Sequence, residues 1–598
     1  MAKDFKLTNL AEFQGFINKQ DITNASNNFL VENSKNVLST DEGRLATRKG
    51  YTLVGAADTT LEPILGSVSW KTARGEELMV RYRNDAANSG TLEVYTTATD
   101  VWTELANSLG TTTFDATTEY WDTTENQDAM IFVVGDANLY YWSGGVTTFA
   151  SATAATVTLQ GTETWAERGF ILSGTTQIQI EGTTYTYTGG ESTTTLTGVT
   201  PDPSVAGHTV GAPVLQTVRT TANTPAAGLT NDLVATHRNQ VYVGMSTRRP
   251  INISAVGDYT DFSAATVPRI VGEAAIITLN ETPTAMIEQE DAIYFSTFNQ
   301  WYRTQFTLSA DLTGEALTIQ LLKSSPRGGA INQNAVFKAK NDIIYISNEP
   351  TINSLGRVEN IDTPQSKDLS DPIKKELESF TTTNASGVFW ENNVYCNFPS
   401  EGKTLVFNIE KGFWEAPQVL PVRLTDVFEA NLIGHSNGIH ESYQLFNGTN
   451  DNSNAIEAIA AFSYLNFGNR SHQKNHVEWF TEGYISTNTT LTLGLNYDYK
   501  GATQVTTKDI LGTDTDITFI PVADASLGKS QLGLDPLGGQ LTTPDVLNKF
   551  RVIKEAIKED YYEIQVVYSS NDVDQQWEIL AQGPSAMLSK SDNNAIKQ

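Results

Sequence analysis

One hairpin recurs along this chain at a nearly fixed interval, and that recurrence restricts the folds open to it. Four copies lie in LVATHRNQVYVG, MIEQEDAIYFS, VFKAKNDIIYIS and VFWENNVYCNF. Each has a short apolar run, a polar turn containing Asn or Asp, and then an apolar-Tyr-apolar run. Tyr242, Tyr294, Tyr345 and Tyr395 mark the copies, at intervals of 52, 51 and 50 residues. Asn and Asp tolerate positive φ and bond to their own backbone, so they favour the tight turns between antiparallel strands. The flanking alternation of apolar and polar residues fits strands with one buried face. Such a hairpin cannot bury its apolar face alone. Four-stranded sheets set radially do cover one another, and a period of about fifty residues is that of a propeller blade. The sequence therefore predicts an all-β chain built on a β-propeller, with an ordinary sandwich as the alternative.

Weaker copies extend the array. MIFVVGDANLYYW places Tyr140 two periods before Tyr242, Tyr82 lies 58 residues before Tyr140, and Phe446 lies 51 after Tyr395. TLEVYTTATDVW and TLVFNIEKGFW end at Trp102 and Trp414 and read as the outer strands of two blades. The count comes to roughly six to seven blades. Residues 1–60 read as N-terminal entry strands, with a turn at Asp41–Gly43 and a strand that closes the ring against the last blade. Residues 61–150 hold the first blades. Residues 151–225 break the period, are dense in Thr and poor in charge, and read as a small inserted β domain, part of which completes a blade. Residues 226–450 carry the regular blades. Residues 451–598 form a C-terminal β domain, read as a sandwich, with a polar tail. In it Leu491, Leu493, Leu495 and Tyr497 alternate, as do Tyr562, Ile564, Val566 and Tyr568. One clear helix is expected over 366–381, with Ser370 or Asp371 as N-cap and Pro372 in the first turn, while 454–465 is open between helix and strand.

Composition supports this reading and limits function. Charged residues make up 18% of the 598, which suits a turn-rich β protein rather than long coiled coils. The formal net charge of −29 favours solubility and disfavours a protein that grips DNA, although an acidic protein can surround DNA without holding it. The single cysteine, Cys396, lies in an expected strand and reads as a small core hydrophobe. The N-terminus has no apolar signal region, and no run of about eighteen apolar residues occurs, so no membrane anchor is expected.

The chemistry-bearing residues do not assemble into a known motif. His472 and His476 have i,i+4 spacing, but a zinc-protease helix needs a Glu beside the first. With His208, His237, His435 and His440 they read as structural or surface residues. No GxSxG elbow, P-loop, EF-hand loop or CxxC pair is present. Glu288, Asp291 and Glu391 are candidate carboxylates for glycoside hydrolysis, yet all sit where hairpin tips are expected. SPRGGA (325–330) reads as a turn between blades. Neither catalytic, cofactor-binding nor metal-binding residues are assigned.

Several blocks, in order, resemble a known family. VYVGMSTRRPINISAVGDYTDF, the glycine-rich stretch from SPRGGA to GR357, the entry segment NVLSTDEGRLATRKGY and the closing segment WEILAQGPSAMLSK are similar to the tail nozzle proteins of tailed bacteriophages, also called tail tubular protein B or tail stabilisation protein. The resemblance implies a structural virion protein made in the host cytoplasm. It implies a homo-hexameric ring around a DNA channel, bound to an adaptor or tail ring, with tail fibres or tip proteins docked on it. Double-stranded DNA would pass through without specific binding. A receptor-binding adhesin for host glycans is the alternative, and a polysaccharide hydrolase the third.

Overall fold

The computed structural model describes residues 13–18, 29–40, 43–57, 61–85, 89–97, 100–110, 113–123, 126–171, 177–220, 230–263, 273–290, 292–308, 315–322, 328–358, 361–364, 367–465, 474–498, 506–513, 547–555 and 562–589. Among the described residues, seven antiparallel sheets form a closed propeller, six of them four-stranded and the sixth blade five-stranded, because Gln418–Val419 adds to its third strand. The inner strands are Ile64–Lys71, Asp115–Asp122, Leu233–His237, Pro283–Gln289, Val336–Ala339, Ser386–Trp390 and Val422–Phe428. They neighbour one another in chain order, and the seventh packs against the first.

The hairpin repeat is the inner pair of strands in each blade. Tyr242, Tyr294, Tyr345 and Tyr395 all lie on second strands and are buried between blades. The Tyr345 ring packs 4.9 Å from Trp301 of the preceding blade, an arrangement that adds to the large apolar area each ring buries. Two of the weaker copies sit elsewhere. Tyr140 is on the third strand of the second blade, whose second strand, Gln127–Val133, carries no tyrosine, as is also true of the seventh blade's second strand, Asn431–Ser436. Phe446 follows the third strand of the last blade. The hairpin turns hold the expected positive φ at Asn239 (58°) and Asn392 (63°), but also at Arg238, Glu391, Glu429 and Ala430. Turn geometry there is imposed by the strands it joins, since these residues do not favour it.

The ring closes with a strand from the far end of the chain. Tyr51–Val54 pairs with Ser442–Leu445 as the fourth strand of the seventh blade. A polar seam joins this blade to the first. Arg81 donates to Glu93 at 2.7 Å and to the Ser442 hydroxyl at 3.0 Å, and its guanidinium lies 4.0 Å from the Trp102 ring. His435 Nδ1 is 2.9 Å from the same hydroxyl, and His440 Nε2 is 3.0 Å from the Asn84 carbonyl oxygen. Burial holds His435 neutral, with its pKa lowered to about 3.

In the second blade the chain leaves after Tyr140–Trp142 and returns at Arg219–Thr220, which pairs with that strand. Between them a six-stranded sheet encloses its own core of Phe149, Trp165, Ile178, Ile180, Tyr185 and Tyr187. A second unit, a β-sandwich, follows the propeller. One of its sheets holds Ala458–Ala461, Ile564–Ser570, Thr490–Tyr497 and Thr506–Leu511. The other combines Lys474–Ser486, Leu547–Glu555 and Trp577–Ser589 with two strands from the N-terminus, Val37–Ser39 and Leu45–Thr47. Leu491, Leu493, Leu495, Ile564, Val566 and Tyr568 are fully buried between the sheets, as their alternation predicts, whereas Tyr562 at the strand entry is exposed.

Arg48 ties these units together. It is buried and donates to both carboxylate oxygens of Asp451 (2.7 and 2.6 Å), to the Asn36 side chain (3.0 Å) and to the Val419 carbonyl (3.0 Å). One guanidinium thus joins the entry strands, the sixth blade and the exit from the propeller. Nearby, the Glu415 carboxylate accepts from the Ser39 N–H at 2.9 Å and from its hydroxyl.

The helix expected over 366–381 is short. Asp371–Ile373 is a 3-10 turn and Lys374–Leu377 a single α turn, preceded by strand Lys367–Asp368. Ser370 precedes the turn without a side-chain capping bond. Its hydroxyl donates instead to Asp368, because the segment is drawn into the fifth blade's outer edge. Within 454–465, Ala458–Ala461 is a strand.

Two predictions follow from these contacts. Arg48→Met leaves the Asp451 carboxylate without its fork, and the unfolding transition should fall by roughly 3–5 kcal/mol; chemical denaturation monitored by tryptophan fluorescence measures it. Ala430→Asn places a residue that tolerates the left-handed region at an exposed turn with φ 63°, and should stabilise by about 0.5–1 kcal/mol.

Candidate functional site

The seven inner strands converge at one end on a cavity of about 300 Å³. Every blade contributes to its wall at the start of its inner strand: Leu65, Phe114, Leu233, Thr284, Gln333, Asn384 and Arg423 in blade order. This is the mouth of the propeller channel.

Most polar groups there bind the backbone of a neighbouring blade. The Val234 N–H of the third blade donates to Asp115 Oδ2 of the second at 2.7 Å. Gln333 of the fifth blade accepts from the Met286 N–H at 2.8 Å and donates to the Met286 carbonyl at 2.9 Å in the fourth. Asn332 donates to the Thr383 and Ala385 carbonyls of the sixth blade, both at 3.0 Å, while its oxygen caps Ala335 N–H at 2.9 Å. The Ser386 hydroxyl of the sixth blade donates to the Arg423 carbonyl of the seventh at 2.7 Å. These side chains fix the spacing of the blades. Burial pushes Asp115 up to about 8 and also raises Asp232, whose carboxylate accepts from the Ser246 N–H at 2.7 Å.

Towards the opposite end, ion pairs link the inner strands. Lys338 of the fifth blade donates to Glu288 of the fourth at 2.6 Å and to Glu119 of the second at 3.3 Å, and His237 Nδ1 of the third lies 3.7 Å from Glu288. The two carboxylates raise the Lys338 pKa against the opposing effect of burial.

The carboxylates singled out by sequence do not come together as a pair for glycoside hydrolysis. Glu288 is in this ion-pair network, Glu391 is at the exposed hairpin tip of the sixth blade, and Asp291 lies outside the described residues. The histidines are dispersed. His435 and His440 are in the ring-closing seam, His237 is beside Glu288, and His208 contacts Tyr185 (2.5 Å) and Glu181 (3.0 Å) in the inserted domain. His476 lies on strand Lys474–Ser486, and His472 falls outside the described residues. Cys396 is fully buried, and burial raises its thiol pKa far above the ordinary value. Among the described residues, no three His, Cys, Asp or Glu side chains are grouped to hold a metal ion, and no helix is long and apolar enough to cross a membrane. Sequence reasoning missed Asp115, Gln333, Lys338 and Arg423. The only local signal of Asp115, Gln333 and Arg423 is their position at or near the start of an inner strand, and that of Lys338 is its position near the end of one.

No family model matches the chain, and no curated protein matches it. Among solved structures it is similar to U3-55K, at 8% identity and a TM-score of 0.31, over 66% of this chain and 98% of that one. It aligns with the WD40 repeats of RRP9 at 9% identity and 0.31, over 66% and 99%. It aligns with Sqt1 of Saccharomyces cerevisiae at 8% and 0.30, over 69% and 99%. These are WD40-repeat proteins rather than tail proteins, and that finding corrects the expectation of a phage tail nozzle or tail adhesin and of a virion location.

Two of the blocks behind that resemblance have a physical origin in blade construction, and the entry and closing segments have theirs in the sandwich sheet. Pro250 starts a third strand, and the following Gly257 N–H donates to the Asn239 carbonyl at the neighbouring hairpin turn. Gly329 sits so close to the Thr297 carbonyl that a Cβ would lie 1.7 Å from it, as a tight crossing between blades requires. The entry and closing segments are sheet partners, with Leu45 opposite Ile579.

Asp115 has a folded pKa above its unfolded one. It therefore contributes stability below pH 4 that is lost as pH rises through about 8. Asp115→Asn should gain stability relative to the native chain as pH rises from 4 to 9. Parallel thermal melts across that range check the sign.

Proposed function

We propose that this chain is a non-enzymatic scaffold that binds a protein partner through the mouth of its propeller channel. The observation that carries this reading is the use of the polar side chains at the mouth. Asp115, Gln333, Asn332 and Ser386 spend their hydrogen bonds holding adjacent blades. Groups committed in this way give a rigid, preorganised rim, which favours recognition because little ordering is left for binding. A general acid or base would instead need to reach a substrate proton, and the perturbed Asp115 is occupied by two backbone N–H groups.

The size of the cavity fits one side chain or chain terminus, with the surrounding loops forming the rest of an interface. Further copies of this chain belong to the partner class, as the sequence reading expects of a homo-oligomer. Light scattering separates self-association from capture of a different chain.

The test places a photo-crosslinking residue at Asn384, on the exposed rim, and at Val205, on the exposed surface of the inserted domain. Crosslinks at Asn384 to one defined protein partner, and not at Val205, are the expected result. Turnover of a glycan or ester substrate that is abolished by Glu288→Gln or Glu391→Gln would overturn the proposal.

A further inference from the structure

We infer that the channel mouth is a carboxylate-binding site whose cation is Arg423, and that its occupant is a peptide carboxylate. The inference rests on the scaffold reading and names the chemistry of its site.

Three inner strands begin with a register irregularity at the mouth. In the first blade it falls between Ile64 and Gly66, in the fourth between Pro283 and Ala285, and in the seventh between Val422 and Leu424. The residues at these breaks are Leu65, Thr284 and Arg423, and all three line the cavity. A bulge adds a residue to one strand and re-aims its side chain. Val422 and Leu424 remain buried on either side of Arg423. The strand thus keeps its apolar packing while the extra residue is delivered to the mouth.

Arg423 differs from the arginines that hold the fold. Arg48 is paired with Asp451, and Arg81 and Arg83 with Glu93. The Arg423 side chain has no ion pair or hydrogen bond among the described residues, while its carbonyl accepts from the Ser386 hydroxyl. Burial lowers its pKa, and removal from water strengthens its attraction to an incoming anion. An unpaired arginine is unexpected in a chain with 69 acidic and 40 basic residues.

A carboxylate fits better than a phosphate. The planar guanidinium presents two parallel donors to a carboxylate. The Asp232 carboxylate lines the same cavity. It opposes a dianion, whereas it can accept from the N–H that accompanies a carboxylate in a peptide. Asn384, on the exposed rim, supplies a further donor.

Calorimetric titration of the full chain at low salt tests this with three probes: an acetylated dipeptide with a free C-terminus, its C-terminal amide, and the monocarboxylate propionate. The free acid should bind, and amidation or Arg423→Gln should each weaken binding at least tenfold, with Arg423→Lys intermediate. Matching unfolding transitions for the variants establish that they fold. Propionate binding as tightly as the dipeptide assigns the site to a free small carboxylate and overturns the peptide occupant. Binding of the free acid that Arg423→Gln leaves unchanged, or no binding at millimolar concentration, overturns the site. Crosslinking through Asn384 in the Arg423→Gln background separates the two readings. A partner retained there keeps the scaffold and removes the role of Arg423, whereas no partner in either background removes the scaffold itself.

Discussion

A propeller is held by its closure, and here closure depends on a strand that precedes the first blade. Tyr51–Val54 completes the seventh blade, so the ring cannot form until residues almost four hundred positions apart have met. The loop entropy of that contact is offset by the interactions gathered around it. Arg48 lies three residues before the closing strand, and its carboxylate partner, Asp451, lies six residues after the strand it pairs with. The same guanidinium holds the sandwich, because the two N-terminal strands that precede it belong to the sandwich sheet. Removing this one charge pair would loosen ring closure and domain docking together.

Buried charge is used consistently in this role. Arg81, Glu93, His435 and His440 occupy the seam where the last blade meets the first, while an exposed ion-pair set, Lys338 with Glu119 and Glu288, links inner strands across the channel. Apolar packing alone would tolerate slippage between similar blades. Directional bonds at the seam specify which surfaces meet, a role for which buried polar groups are suited. The mouth follows the same rule, with side chains of one blade bound to the backbone of the next. Arg423 is the exception, and it is the residue that a bulge turns away from the blade.

The likeness to tail nozzle proteins shows how local sequence can mislead about function. Arg-Pro before a strand, paired glycines at a crossing and Asn at a hairpin turn are demands of blade geometry. They recur wherever strands of this length are joined in this way, and they carry information about architecture rather than about what the assembled surface binds.

The sequence by itself determined the hairpin period, the turns at Asn239 and Asn392, the buried alternation at Leu491–Leu495 and the break in periodicity that marks the inserted domain. These features are legible because they depend on residues a few positions apart, where backbone sterics and strand alternation act directly. The sevenfold closure, the sharing of N-terminal strands with the sandwich, and the reduction of the expected helix to a single turn were decided by tertiary structure. So was the site. Leu65, Thr284 and Arg423 are separated by more than a hundred residues each, and nothing in their immediate neighbours marks them. They become one cavity wall only because seven inner strands begin at the same end of a closed ring, a placement set by packing between distant segments.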